Sequence, residues 1–218
     1  MGRKLEENKE LFNTWATTYD QSVKKPTGVL EDYNTSLKTA ADMVDHFNSG
    51  RILDIGIGTG NFTELFVTPE TEVHGLDISD EMLKECQKKF PQFHLTLGEF
   101  PNIKYQHETF DLVISSFCFH EIPPNQRNEA CREIYRILKP NGYVLLLEIM
   151  FVSTQSRNQA EAEVENWDPS EEYALVGDLN DMLLSAGFSN VFWRQTAKYH
   201  WCVCAKKNGE KEDPPFKE

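Results

Sequence analysis

Three glycines at alternate positions follow directly on a short apolar run, and this pattern constrains the fold more than any other part of the sequence. The run is residues 52–55, and the glycines are Gly56, Gly58 and Gly60. Such a run is typical of a buried strand that leads into a tight turn, because glycine adopts positive φ angles and lets a ligand approach the backbone closely. A helix is predicted near 61–67, and its first N–H groups favour a polar or anionic ligand.

A carboxylate closes the next apolar run. Asp77 ends residues 73–77, about where a βαβ dinucleotide-binding unit places the acid that accepts hydrogen bonds from ribose hydroxyls. The glycine turn and Asp77 together predict an adenosine-containing cofactor. A nicotinamide dinucleotide would favour G-x-G-x-x-G, but Asn61 stands where that motif needs its third glycine. Asp54 needs a partner inside the first strand, and a sulfonium or ammonium group would supply one.

Apolar and helical periods alternate along the rest of the chain, which predicts a parallel, doubly wound sheet. Strands are expected near 51–56, 72–77, 93–97, 110–115, 142–150, 190–197 and 199–206. Helices are expected near 11–20, 30–47, 61–67, 80–89 and 126–138. A last helix is predicted to start at Asp168, an N-cap residue followed by proline, and to end at Gly187.

The residues at 54–60 resemble motif I of the class I S-adenosylmethionine-dependent methyltransferases, an acidic residue followed by G-x-G-x-G. Further segments match the same family in order and spacing. They are 95–100 (third strand and adenine loop), 110–122 (fourth strand and its terminal motif) and 138–145 (the L-K-P-G-G stretch, with Asn141 for its first glycine). The resemblance covers about residues 11–206. It implies an α/β fold: a Rossmann-like, doubly wound, mostly parallel seven-stranded sheet with N-terminal helices and a C-terminal β-hairpin.

The resemblance also implies the residues that hold the cofactor, S-adenosyl-L-methionine. Asp77 would bind the ribose, Asp54 the amino group directly or through water, and Glu99 and Phe100 would flank the adenine. The predicted cofactor contacts are Tyr19, Asp54, Gly56, Gly58, Thr59, Gly60, Asp77, Ile78, Gly98, Glu99, Phe100 and Ser116. No metal site is predicted.

The N-terminal W-A-x-x-Y-D at 15–20 is similar to an element of the small-molecule methyltransferases related to the ubiquinone and menaquinone C-methyltransferases. In that group the tyrosine lies over the cofactor pocket. A helix stripe packed on the sheet is the alternative, and it accounts for Phe12 and Ala16. We expect a helical cap over the pocket at 1–50, a methyltransferase domain at 51–206 with a lid over the acceptor at 151–168, and a disordered tail at 207–218.

His120 is the candidate catalytic residue. It follows the fourth predicted strand, on the side of the sheet where open α/β folds bind ligands. A neutral imidazole there would act as a general base toward a hydroxyl or thiol acceptor, and packing or orienting the acceptor is the alternative. Cys118 lacks the Pro-Cys context of covalent cytosine methylation, and Pro123-Pro124 lacks the flanks of the N-P-P-aromatic motif. Methylation of nucleic-acid bases is therefore disfavoured.

Composition narrows the class of acceptor. A net charge of −13 over 218 residues repels phosphate backbones, which disfavours an extended nucleic acid. No apolar run reaches about 18 residues, and five cysteines without a CxxC pair predict free thiols in a reducing compartment, the cytoplasm. We expect a monomer or weak homodimer that methylates a small molecule and has no nucleic-acid or membrane partner. The alternatives are a tRNA or protein methyltransferase, a non-catalytic cofactor-binding module and a dehydrogenase.

Overall fold

The computed structural model describes residues 3–44, 46–165 and 167–209, and their strands form one seven-stranded sheet in the order β3-β2-β1-β4-β5-β7-β6. The strands are β1 Gly50–Ile55, β2 Thr71–Asp77, β3 His94–Leu97, β4 Phe110–Ser116, β5 Leu138–Ile149, β6 Phe188–Gln195 and β7 His200–Lys207. The helices are α1 Leu5–Ser22, α2 Tyr33–Ala41, α3 Asp80–Lys89, α4 Arg127–Ile137, α5 Thr154–Glu163 and α6 Val176–Ala186. Neighbours among β1–β5 pair in parallel, and β7 runs antiparallel to β5 and β6. The predicted fold class is confirmed.

Alternation along the central strands explains why helices cover both faces of the sheet. In β4, Val113 packs with α4 and α6 in one apolar core, and Leu112 and Ile114 pack with α2 in the other. All three side chains are fully buried. Consecutive residues of a strand point to opposite faces, so a continuous apolar run requires a cover on each side.

The strand order places a crevice where β1 and β4 are neighbours. The chain runs from β1 outward to β3, then returns to build β4 and β5 on the other side of β1. Helices that follow β1 and β4 therefore lie on opposite faces, and the carboxyl ends of these strands leave a gap that binds ligands in open α/β folds. Gly56 and Phe117 are the first residues beyond these ends.

Three local expectations were wrong. The turn after Gly60 leads into a short 3₁₀ helix at Thr63–Phe66 and not an α-helix. Helix α6 begins at Val176, eight residues after Asp168: residues 169–170 form a turn, and Leu175, directly before the helix, forms a bridge to Phe151. Residue 207 belongs to β7, and residues 210–218 of the predicted tail lie outside the described residues.

Among the described residues, no helix is long and apolar enough to cross a membrane.

Candidate active site

A cavity of about 670 Å³ opens at the carboxyl ends of the central strands, within the range of about 300–1,000 Å³ typical of small-molecule sites. Nine of the predicted cofactor residues line it: Tyr19, Gly56, Gly58, Asp77, Ile78, Gly98, Glu99, Phe100 and Ser116. Most of the remaining wall comes from residues 3–4 and the start of α1, the segment 117–126 and residues 170–172. Asp54, Thr59 and Gly60 are buried and are not among the residues that line the cavity.

Each of the three positions in the turn requires glycine for its own physical reason. A Cβ on Gly56 would lie 2.2 Å from Sγ of Cys118, and one on Gly60 would lie 2.9 Å from the ring of Phe90. Gly56 and Gly60 thus let other parts of the protein pack against the turn. Gly58 has φ +52°, and in the described part of the chain no atom lies within 4 Å of its Cβ position. Gly58 leaves open space on the cavity side.

Asp77 joins the end of β2 to the glycine turn. Its Oδ2 accepts the N–H of Gly58 and its Oδ1 accepts the N–H of Ser79, each at 2.8 Å. Burial raises the pKa of Asp77 to about 6, although these N–H groups favour the charged form. A carboxylate oxygen accepts more than one hydrogen bond, so both oxygens keep capacity for ribose hydroxyls.

Asp54 carries an unsatisfied oxygen inside the protein. Its Oδ2 accepts the hydroxyl of Thr63, and within the described residues its Oδ1 has no hydrogen-bond partner. The residue is 1% exposed, and burial, with a contribution from the charge of Asp77, raises the pKa of Asp54 to about 7. A buried orphan oxygen is rare and usually has a reason. The positive charge of a sulfonium or ammonium group would stabilise the negative charge on this oxygen of Asp54.

Helix α1 is fastened to the glycine turn by Asp20. The Asp20 carboxylate accepts the Thr59 hydroxyl at 2.6 Å and the Asn61 side-chain amide at 3.0 Å. Lys89 of α3 donates to the same carboxylate at 2.9 Å. Tyr19, the preceding residue, lines the cavity. Sequence reasoning named Tyr19 and overlooked Asp20, although the aspartate closes the same motif.

His120 is held by a carboxylate that the sequence analysis missed. The Nδ1 of His120 lies 2.6 Å from Oε2 of Glu148, which is 1% exposed. The other oxygen of Glu148 accepts the N–H groups of Cys118 and Phe119. The signal was present in the sequence, since Glu148 is a lone charge inside the apolar run of β5.

The surroundings of His120 favour the imidazolium form. Burial opposes protonation, but the nearby carboxylates, Glu148 first among them, outweigh it and raise the pKa of His120 from 6.5 to about 9. An imidazolium has no free lone pair with which to accept a proton, so these surroundings favour the orienting role of His120 over the general-base role. Burial also raises the pKa of Cys118 well above 9, so its thiol is not an activated nucleophile.

The predicted lid does not contribute to the cavity wall. Residues 151–168 contain α5, and none of the described residues in this range lines the cavity. Phe151 and Trp167 instead pack with Tyr173 in a separate aromatic cluster. The cavity is enclosed by the segment before and at the start of α1 and by residues 170–172.

This sheet order, with a glycine turn after β1 and an acid at the end of β2, defines a Rossmann-like methyltransferase architecture. A family model described as "Methyltransferase domain" matches residues 52–142. An uncharacterized methyltransferase of Alkaliphilus oremlandii is 29% identical over 212 residues, covering 92% of this chain and 97% of the relative. One of Staphylococcus carnosus is 27% identical, with 91% and 98% covered.

Solved structures show the same fold at low sequence identity. The [4+2]-cyclase SpnF superposes with a TM-score of 0.76 at 13% identity, covering 96% of this chain and 98% of the other. A SAM-dependent methyltransferase of Thermotoga maritima, titled a possible histamine N-methyltransferase, gives a TM-score of 0.68 at 17% identity, with 92% and 99% covered. The matched family model and the methyltransferase relatives support a class I S-adenosylmethionine-dependent methyltransferase, with S-adenosylmethionine as its cofactor.

Proposed function

We propose that this enzyme methylates a small molecule that enters the cavity beside the predicted cofactor residues. The observation that carries the proposal is the shape of the site, because one cavity is lined both by the glycine turn and by α1, the segment 117–126 and residues 170–172. A volume of about 670 Å³ suits a cofactor and a small acceptor side by side. A net charge of −13 also opposes nucleic acid as the acceptor.

The side chains would bind and align the two reactants. S-Adenosylmethionine supplies a methyl group on a good leaving group, so the protein mainly orients the acceptor and excludes water. In this proposal Asp77 accepts the ribose hydroxyls, and Asp54 faces the positive charge of the cofactor. The Nε2 of His120, protonated at neutral pH, donates a hydrogen bond that orients the acceptor.

Two finer points belong to the same proposal. The relationship to the ubiquinone and menaquinone C-methyltransferases rests on the W-A-x-x-Y-D element at 15–20. The Thermotoga maritima neighbour is titled a possible histamine N-methyltransferase, which makes amines worth including among the acceptors tested. A cytoplasmic site of action is supported by five cysteines that are all free.

A matched pair of substitutions tests where the acceptor binds. Formation of S-adenosylhomocysteine is measured with a panel of small alcohols, thiols, amines and carbon acids. Asn125 lines the cavity, and Asn128 is exposed on α4 and does not line it. Asn125→Trp should lower kcat/KM for the acceptor at least tenfold and leave the affinity for S-adenosylmethionine unchanged, whereas Asn128→Trp should change neither. The proposal would be refuted if only macromolecules were methylated, or if the two variants had the same kcat/KM for the acceptor.

A further inference from the structure

The segment that precedes α1 places a guanidinium between carboxylates on the cavity wall. Nη2 of Arg3 lies 3.0 Å from Oε1 of Glu121 and also contacts Oε1 of Glu171. Nη1 lies 2.8 Å from Oδ2 of Asp168. The side chains of Arg3, Glu121 and Glu171 are only 16%, 14% and 12% exposed, and all three residues line the cavity. One cationic nitrogen is therefore shared by two largely buried acids.

The acids around this position outnumber the cations. Glu121, Glu171, Asp168 and the buried Glu148 surround the imidazole of His120 and the guanidinium of Arg3. Without the guanidinium of Arg3, the four carboxylates would face only the imidazolium of His120 and the buried guanidinium of Arg127, which interacts with Glu148. Removing one partner of a buried charge pair is costly, because it leaves the other charge in a poorly solvating environment. The position therefore demands a cation whether or not Arg3 supplies it.

His120 provides a second, independent sign of a ligand. Its side chain is nine-tenths buried, yet its Nε2 makes no hydrogen bond to the described residues. The nearest acids are at ion-pair distances only, 3.5 Å to Oε2 of Glu171 and 3.8 Å to Oε1 of Glu121. Because this nitrogen lies on the cavity wall and meets the two acids only at ion-pair distance, it keeps an N–H donor for a bound molecule.

Arg3 is held by its side-chain contacts and lies outside the helices and strands. Residues 3 and 4 belong to no helix or strand, and the side chain of Arg3 carries the contacts that tie this segment to residues 121 and 168–171. Opening of a segment that belongs to no helix or strand is local and leaves the sheet intact.

We propose that Glu121 and Glu171 form a subsite for a cationic nitrogen group of the acceptor, and that Arg3 fills this subsite until the acceptor displaces it. This inference rests on the proposed function, since it assumes that the acceptor enters the cavity. The acceptor class is a small molecule with an ammonium or guanidinium group. That group is distinct from the atom that receives the methyl group, because a protonated amine has no lone pair with which to attack.

Removal of the Arg3 side chain should open the subsite to an added cation. The test uses Arg3→Ala with methylguanidinium as the probe and methylurea as its neutral counterpart, and binding is measured by calorimetry. The matched control is Arg132→Ala, because Arg132 pairs with Glu129 on an exposed helix face. We expect methylguanidinium to bind Arg3→Ala at least tenfold more tightly than it binds wild type or Arg132→Ala, and methylurea to bind none of them.

The carboxylates must account for that binding. Adding Glu121→Gln and Glu171→Gln to the Arg3→Ala variant should abolish it. Equal affinity of Arg3→Ala and Arg132→Ala for methylguanidinium would overturn the proposal. The His120, Glu121 and Glu171 donors lie within 4.8 Å of one another, so Mn²⁺ is titrated in parallel. Binding of Mn²⁺ without binding of methylguanidinium would also overturn it.

A measurement on the wild-type protein covers the case in which Arg3→Ala fails to fold. Methylguanidinium at high concentration should displace Arg3 and speed hydrogen exchange in the first turns of α1, and methylurea should not. Unchanged exchange would contradict the proposal. None of these readouts requires methyl transfer, so they fail or succeed independently of the acceptor screen that tests the proposed function.

Discussion

Asp54→Asn removes a carboxylate that the enzyme holds in its interior at a cost to stability. The pKa of Asp54 rises from 3.8 to about 7 because of burial, with a further contribution from Asp77. An acid with a raised pKa in the folded state binds protons more tightly when folded. Folding stability is therefore lost as pH rises from about 4 through 7, and the loss is complete above 7. The substitution should relieve this loss.

The expected size follows from the pKa change. About three pKa units correspond to roughly 4 kcal/mol of destabilisation above pH 7, of which about 2–3 kcal/mol develops between pH 5 and pH 8. The asparagine oxygen can accept the hydrogen bond from Thr63, but its amide then replaces the orphan oxygen and costs about 1–3 kcal/mol at every pH. We expect Asp54→Asn to be more stable than wild type by about 1–3 kcal/mol at pH 8 and no more stable at pH 5.

Urea denaturation without cofactor at the two pH values measures this difference. Asp181→Asn, at an exposed position of α6, is the control and should give no pH-dependent change. The same Asp54 variant should bind S-adenosylmethionine roughly ten- to a hundredfold more weakly, because a charge-assisted interaction is lost. A stability difference that does not change between pH 5 and pH 8 would refute the reasoning about a buried charge.

Three further predictions concern the glycine turn, the contacts by which Asp20 holds α1 to that turn, and His120. Gly58→Ala should fold with a free energy of unfolding lower by about 1–2 kcal/mol and should bind S-adenosylmethionine at least tenfold more weakly. Gly56→Ala should show no cooperative transition in a thermal melt, because its Cβ would lie 2.2 Å from a sulfur atom. Asp20→Ala should lower the melting temperature, and it should also lower the increase in melting temperature on adding S-adenosylmethionine, because three side chains lose a shared acceptor. An unchanged increase would show that Asp20 does not hold α1 against the cofactor site. The rate should fall as pH passes about 9, where His120 loses its proton, and Glu148→Gln should move this fall to lower pH; a rate that rises from pH 7 to 9 would instead favour a general base.

The parts of the site that could be predicted from the sequence are those held within one local motif. Gly56, Gly58 and Asp77 are recognisable because a strand, a glycine turn and the next strand follow one another within about 25 residues. The strands of the sheet could also be predicted from local sequence, because each one is a short apolar run between polar turns. These assignments to the cofactor stay predictions until binding is measured.

The remaining features depend on contacts between distant residues. Glu148 and His120 are 28 positions apart, and Arg3 and Glu171 are 168 apart. No periodicity pairs such residues, and their protonation depends on burial that only the folded protein creates. The start of α6 was misplaced for the same reason, because a bridge between Phe151 and Leu175 overrides a good local capping signal at Asp168.

Calorimetric titration of wild type and Asp77→Ala with S-adenosylmethionine, S-adenosylhomocysteine and NADH tests the account most directly. Micromolar binding of the two adenosyl-sulfur ligands, none of NADH, and an affinity roughly ten- to a hundredfold lower in Asp77→Ala is the predicted result. An unchanged dissociation constant in Asp77→Ala, or binding of NADH alone, would contradict the placement of the cofactor at the glycine turn.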